Sequence, residues 1–122
     1  MTKRRLLTAA ISLLALVALP GTAHAANSVT IIEGYGTGSA WVKFSYTCAP
    51  GTATNAPLVV AAGQSVANAS PGVTCDNVSH TVISGTSCLT SCNFRPGNSV
   101  WVQVHVGGAS DSRNLGLRPP PW

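Results

Sequence analysis

The chain has 122 residues, 45% hydrophobic and only 8% charged, with a formal net charge of +4. Residues 1–25 are predicted to be a signal peptide, because a basic start precedes an apolar run and the small-residue site Ala23-His24-Ala25. Cleavage after Ala25 would remove three of the seven Lys and Arg residues and leave residues 26–122 with a net charge of +1. Four scattered cations cannot neutralise a nucleic-acid backbone, so a nucleic-acid partner is not expected. The apolar run is shorter than the roughly 20 residues that span a bilayer, so the mature form is expected to have no membrane span.

Strand patterns dominate the chain after the signal peptide, in short runs bounded by Gly, Pro, Asn or Ser. The first run, 28–33, is followed by the glycine-rich segment 34–38. That segment lacks the Lys and the following helix of a phosphate-binding loop, and it predicts a hairpin or a loop between strands. Further strands are predicted at 57–62, 65–69, 72–75 and 80–84.

Two longer segments alternate apolar and polar residues, as half-buried strands do. The segment 39–48 directs every second residue inward and leaves Trp41 and Lys43 on its outer face. The segment 98–106 repeats the pattern with four inward valines. The residues predicted to face inward are Ala40, Val42, Phe44, Tyr46, Cys48, Val100, Val102, Val104 and Val106.

Six or seven short strands without helical periodicity predict an all-β fold, an immunoglobulin-like antiparallel β-sandwich over residues 26–106. Residues 107–122 show no strand-length alternation and are predicted to form a Gly/Pro-rich C-terminal tail. Its last part, Arg118-Pro119-Pro120-Pro121-Trp122, is expected to be extended and polyproline-like. A frayed end is favoured over docking on an aromatic groove.

Four cysteines follow the predicted signal peptide, and an even number in an exported chain indicates two disulfides. Sequence leaves three pairings open. The short spacing from Cys88 to Cys92 favours a local bridge, which leaves Cys48 to pair with Cys75. The alternative is a zinc site completed by a histidine, but the spacings are not those of structural zinc sites, so no metal or cofactor is predicted.

Acid–base chemistry after residue 25 would have to use two histidines and three carboxylates: His80, His105, Glu33, Asp76 and Asp111. No Gly-x-Ser-x-Gly nucleophile elbow accompanies them. Asp76 and His80 are expected to share hydrogen bonds across a turn rather than to serve a serine triad. We therefore assign no catalytic residue and expect a protein that is not an enzyme.

The outward positions of the two strong strands are the candidate binding residues. Trp41, Lys43, Trp101, Gln103 and His105 would form an aromatic platform if those strands were neighbours in one sheet. The alternative is that the tail, the 84–97 loop or the other sheet covers the tryptophans, which would then extend the core.

Several short motifs carry a family resemblance over residues 28–106. They are Tyr46-x-Cys48, Leu58-Val59-Val60, Gln64, Cys75-Asp76-x-x-x-His80 and the strand from Val100 to Val106. With them the chain resembles a family of small secreted actinobacterial proteins that have immunoglobulin-like sandwiches and no assigned activity. Asn77 stands where that family has glycine, and asparagine tolerates the same left-handed turn. A more distant similarity, in size, cysteine number and strand rhythm, is to neocarzinostatin-type apoproteins, which sequester an apolar chromophore.

Sequence thus predicts a secreted, monomeric binding module for an extracellular or cell-wall glycan, or for a protein. One alternative is a hydrolase inhibitor that presents the Cys88–Cys92 ring as a rigid loop. A carrier of an apolar small molecule is the other. A protruding ring would favour the inhibitor, a pocket between the sheets the carrier, and a flat aromatic face the glycan-binding module.

Overall fold

A computed structural model describes residues 26–122, so the predicted signal peptide lies outside the described residues. The described part is all β, with eight strands and no helix. The strands are β1 (Ser28–Gly36), β2 (Ala40–Thr47), β3 (Leu58–Ala62), β4 (Ser65–Ala69), β5 (His80–Gly85), β6 (Ser87–Thr90), β7 (Ser99–Val106) and β8 (Ala109–Gly116). Within residues 26–122 there is therefore no helix that is long and apolar enough to cross a membrane.

The strands form two antiparallel sheets, one ordered β1-β2-β5 and the other β6-β4-β3-β7-β8. The prediction of an antiparallel sandwich is confirmed, with eight strands in place of six or seven. Tight hairpins join β1 to β2, β3 to β4 and β7 to β8. The last of them turns at Gly107 and Gly108, which both have positive φ, as type I′ hairpin turns require.

The core lies between the sheets, where the alternating residues of β2 and β7 meet. All nine residues predicted to face inward are buried, and Phe44 and Val102 are completely inaccessible to solvent. Phe94, from the loop before β7, completes the core. Burial of aliphatic and aromatic side chains on both inner faces holds such a sandwich together.

The predicted disulfides are confirmed. Cys48 is bonded to Cys75 with 4.7 Å between their Cα atoms, and Cys88 is bonded to Cys92 with 5.7 Å between theirs. All four cysteines are thus unavailable as thiolates, which removes the ligands of the zinc alternative. We refer to residues 88–92 as the disulfide ring.

Three local predictions are wrong. Residues 72–75 form only an isolated bridge between Asn55 and Gly72, and β6 lies where no strand was expected. The segment 107–122 is not a strandless tail, because it contains β8. By register, β8 places Asp111 and Arg113 on its inner face, opposite two valines of β7. Inward-facing charges are a common feature of edge strands, and here they hide the alternation by which a strand is recognised.

The end of the chain is also ordered against the fold. Leu117 is buried, and the backbone of Arg118 pairs in parallel with β1: its N–H donates to Gly34 O at 2.9 Å, and its O accepts from Gly36 N at 3.1 Å. The expectation of a frayed terminus is therefore wrong as far as Arg118, because these bonds satisfy backbone groups at the edge of β1. Nearby, the Asp111 carboxylate accepts a hydrogen bond from Ile31 N at 2.8 Å, which links the two sheets along the same side.

Candidate functional site

The structure separates the five candidate binding residues into two groups. Trp41 and Lys43 lie on β2 in the three-stranded sheet, whereas Trp101, Gln103 and His105 lie on β7 in the five-stranded sheet. Each group faces away from the core, as its strand phase predicts, so the groups lie on opposite outer faces. The condition for a single aromatic platform is therefore not met, because β2 and β7 are not neighbours in one sheet.

The Trp41 side is covered by the chain itself. The ring of Trp122 packs edge-on against Trp41, with 5.1 Å between the ring centroids, and against Tyr35, with 5.4 Å. Tyr35 retains only 3% of its accessible surface. The alternative in which the tail covers a tryptophan is thus confirmed for Trp41.

The outer face of the five-stranded sheet is open around β7. The pairing register arranges its outward residues in rows that run across the strands. Trp101 stands beside Ala61 in one row, and Gln103 stands beside Val59 in the next. Successive rows are about 6.8 Å apart, so Trp101, Gln103 and His105 cover roughly 14 Å along β7.

The Gln103 row is the most polar, and it crosses the whole sheet. Asn68 on β4 is opposite Val59, and Ser87 on β6 is opposite Asn68. Asn68 and Gln103 therefore bracket Val59 at a separation of two strands, about 9.6 Å. The side-chain amides of Asn68 and Gln103 thus lie on either side of one apolar residue, Val59.

A groove of about 350 Å³ opens on this face and contains that row. Its lining residues are Pro57, Leu58, Val59, Asn68, Ala69, Ser70, Ser87, Gln103 and His105. Among the described residues, none that lines it carries a permanent charge. Amide, hydroxyl and imidazole groups both donate and accept hydrogen bonds, so the groove is suited to a neutral polar ligand with many hydroxyl groups.

Trp101 lies at the end of this surface, next to Gln103 along β7. It exposes 36% of its surface, which is more than Trp41 exposes and less than Trp122 does. Its neighbour on β3 is Ala61, which is too small to cover an indole ring. The exposed indole of Trp101 provides an apolar stacking surface, and the amides of Gln103 and Asn68 provide directional hydrogen bonds beside it.

The Asp76–His80 pair forms a turn, as predicted. Asp76 Oδ1 accepts a hydrogen bond from Val78 N at 3.0 Å and lies 2.8 Å from His80 Nε2, while Asn77 adopts the left-handed conformation with a φ of 63°. The hydrogen bond with His80, and then that from Val78, hold the pKa of the Asp76 carboxyl below its ordinary value. These contacts account for the pair as a turn-stabilising element.

Sequence reasoning missed the half of the groove that β3, β4 and β6 supply. Val59 and Asn68 were outward positions of predicted strands, so their phase was readable. Their adjacency to Gln103 was not, because it depends on β3 lying between β4 and β7. Ser87 lies in a strand that was not predicted.

No protein-family model, no curated protein and no solved structure matches this chain. The resemblance to small secreted actinobacterial proteins, and the more distant one to neocarzinostatin-type apoproteins, therefore stay predictions. Function has to be inferred from the geometry of the two outer faces.

Proposed function

We propose that the protein is a secreted, non-catalytic binding module for a neutral glycan of an extracellular matrix or cell wall. Its binding site is the outer face of the five-stranded sheet, with Trp101, Gln103 and His105 on β7 and Asn68 on β4. The two disulfides are compatible with an extracellular location. A monomer is sufficient for this function, since every proposed contact comes from one chain.

The observation that carries the proposal is the uncharged groove next to an exposed tryptophan. A sugar ring has apolar faces bearing C–H groups and a rim of hydroxyl groups, so it needs an aromatic surface together with groups that donate and accept. Trp101 supplies the first, and the amides of Asn68 and Gln103 supply the second. The strands that carry the two amides lie about 9.6 Å apart, which fits an extended ligand lying across the strands better than a single ring.

The other functions have less support from the geometry. The disulfide ring does expose Leu89, by 57%, but β6 pairs along β4 instead of projecting as a free loop. Hydrogen bonds from Ser65 Oγ to Ser91 O and from Thr90 Oγ1 to Gln64 O bind the ring to the β3–β4 hairpin. The space between the sheets, where a carrier would hold an apolar molecule, is filled by buried side chains such as Phe44 and Phe94.

The test is a pull-down of residues 26–122 on insoluble cellulose, chitin and purified peptidoglycan, compared with Trp101→Ala and Gln103→Ala. We expect retention on at least one glycan and a loss of affinity of about tenfold or more for Trp101→Ala, as for the central aromatic residue of a binding site. Trp41→Ala is the matched control, because it removes the same side chain from the opposite face.

Urea unfolding accompanies each variant. Trp101→Ala is expected to change the free energy of unfolding by no more than about 1 kcal/mol, since its ring does not fill the core. The proposal would be refuted if the protein bound none of the three glycans, or if Trp101→Ala and Trp41→Ala lost affinity equally.

A further inference from the structure

The second outer face, that of the three-stranded sheet, carries an aromatic surface built from Tyr35 and Trp41. These residues are paired across β1 and β2 and point away from the core. This surface lies on the opposite side of the sandwich from the proposed glycan site, so a role for it does not depend on glycan binding.

The Trp41 ring is held in place before any ligand is considered. Its Nε1 lies 3.3 Å from Thr37 Oγ1, and its six-membered ring rests on Gly85 of β5, where an added Cβ would lie only 3.1–3.3 Å from three ring carbons. Glycine at this position lets the ring lie this close to the neighbouring strand, whereas a side chain would push it away by a few tenths of an ångström. Trp41 therefore presents a preorganised surface, which lowers the entropic cost of binding.

The C-terminal segment meets this surface in two different ways. Up to Arg118 it is part of the fold, because Leu117 is buried and Arg118 pairs with the backbone of β1. Within the described chain, no backbone hydrogen bond joins Pro119–Trp122 to either sheet. In this segment the ring of Trp122 packs against Tyr35 and Trp41.

Those contacts are weak enough to exchange. Trp122 remains 61% exposed while it packs on the two rings. Beyond the area that it buries, each edge-to-face pair favours contact by a factor of about 2.3 to 10, so two pairs favour the covered state by at least about fivefold. Ordering the four terminal residues opposes this gain, so the uncovered state stays populated and a competing ligand can enter.

The covering segment also indicates the chemistry that the surface accepts. Three consecutive prolines adopt an extended helix that needs no backbone partners, and such segments dock through ring faces in aromatic grooves. At the start of the segment, Arg118 Nε lies 3.7 Å from Glu33 Oε1, so the two side chains form an ion pair. Because Arg118 belongs to the fold and keeps this pairing, the pattern open to exchange is a run of prolines followed by an aromatic residue.

We propose that the Tyr35–Trp41 surface is a binding site for proline-rich peptide segments of this type, and that residues 119–122 occupy it as an internal ligand. A partner protein carrying such a segment displaces Trp122 and binds in its place. The site is thus partly masked, and its apparent affinity for a partner is reduced by the fraction of time that the internal segment covers it.

The test uses ¹⁵N-labelled residues 26–122 in which Pro119–Trp122 are replaced by Gly-Ser-Gly-Ser. The probe is an unlabelled peptide, Pro-Pro-Pro-Trp, which copies the replaced residues, and the readout is the indole N–H resonance of Trp41. We expect the peptide to shift this resonance and to leave that of Trp101 unmoved, because Trp101 lies on the other sheet. A peptide ending in alanine is expected to bind at least fivefold more weakly.

The unaltered chain supplies the second measurement. It is expected to bind the peptide at least fivefold more weakly than the replaced chain, because its own segment competes. The single variant Trp122→Ala keeps the Arg118 pairing, and in it we expect most of the lost affinity to be regained, so the result does not depend on the replaced chain folding well.

Three results would overturn the proposal. One is a Trp41 resonance that several millimolar peptide leaves unmoved in a folded replaced chain. Another is equal peptide affinity of the unaltered and replaced chains, which would mean that residues 119–122 do not occupy the site. The third is a response of Trp41 to soluble cello- or chito-oligosaccharides without a response to the peptide, which would assign the surface to glycans.

Discussion

Replacing Gly36 with alanine is expected to destabilise the protein for a reason that the sequence alone does not give. An added Cβ would lie 2.7 Å from the carbonyl carbon of Arg95 and 2.9 Å from both its Cα and the oxygen of Phe94. These are backbone atoms, and two hydrogen bonds between Gly38 and Phe94, at 2.7 and 3.0 Å, hold them in place. Because Phe94 is itself buried, the loop cannot withdraw without opening the core.

Overpacking of this kind costs about 1–3 kcal/mol. The smaller conformational freedom of alanine in the unfolded chain returns about 0.4–1 kcal/mol. Since the close atoms are backbone atoms that cannot withdraw, the upper half of that range applies, and the net loss is about 1–2.6 kcal/mol. For a domain of this size such a loss lowers the melting temperature by about 4–20 °C. Urea unfolding followed by tryptophan fluorescence, together with a thermal melt, measures both quantities.

Gly116→Ala is the matched control, because Gly116 also lies at the end of a strand and has no atom within 4 Å of an added Cβ. Its variant should be as stable as the parent or more stable by up to about 1 kcal/mol. A Gly36→Ala protein within about 0.5 kcal/mol of the parent, or equal losses in the two variants, would show that the close approach does not limit this position.

Two further predictions concern stability. Removing the Cys48–Cys75 disulfide by double alanine substitution should cost about 3.5 kcal/mol and removing that of the disulfide ring about 2 kcal/mol, since the bridges span 27 and 4 positions; equal urea midpoints would contradict this order. Partial burial raises the pKa of Asp111, but the hydrogen bond from Ile31 N–H and the neighbouring guanidinium outweigh it and hold that pKa below its ordinary value. A carboxyl group with a lowered folded-state pKa stabilises the folded protein at pH values above its unfolded-state pKa of about 3.9. That contribution is lost as the pH falls through the folded-state pKa. Asp111→Ala should therefore cost about 1–2 kcal/mol at pH 7 and progressively less below about pH 4, whereas an unchanged cost at pH 3 would rule out the carboxylate as the cause.

The parts of the fold that the sequence predicts well are those in which a strand has one buried and one solvated face. β2 and β7 lie inside their sheets, so alternation reports their burial directly, and the cysteine pairing follows from spacing. β8 was missed because an edge strand buries little, and because two charged residues occupy its inner face. The Gly107-Gly108 pair was the available signal, since two glycines between strand-length segments are typical of a hairpin.

The candidate site was less predictable because it depends on which strands are neighbours. Strand phase correctly placed Trp41 and Trp101 on outer faces, but phase is a property of one strand and sheet membership is not. The glycine-rich segment 34–38 shows the same limit. Gly34 and Gly36 lie within β1, where Leu117 and the backbone of Arg95 approach closely, and neither of these neighbours is close in sequence.

The two outer faces differ in exposure because the C-terminal segment covers only one of them. Its buried Leu117 and paired Arg118 cover the edge of β1, whose backbone groups would otherwise be free to pair with another chain. Having crossed to that edge, the next four residues can reach only the three-stranded sheet, so they cover Trp41 and leave Trp101 exposed. The role in folding therefore ends at Arg118, and substitutions at 119–122 should change access to the Tyr35–Trp41 surface while preserving the edge. For this reason the peptide experiment can separate masking of a site from loss of the fold.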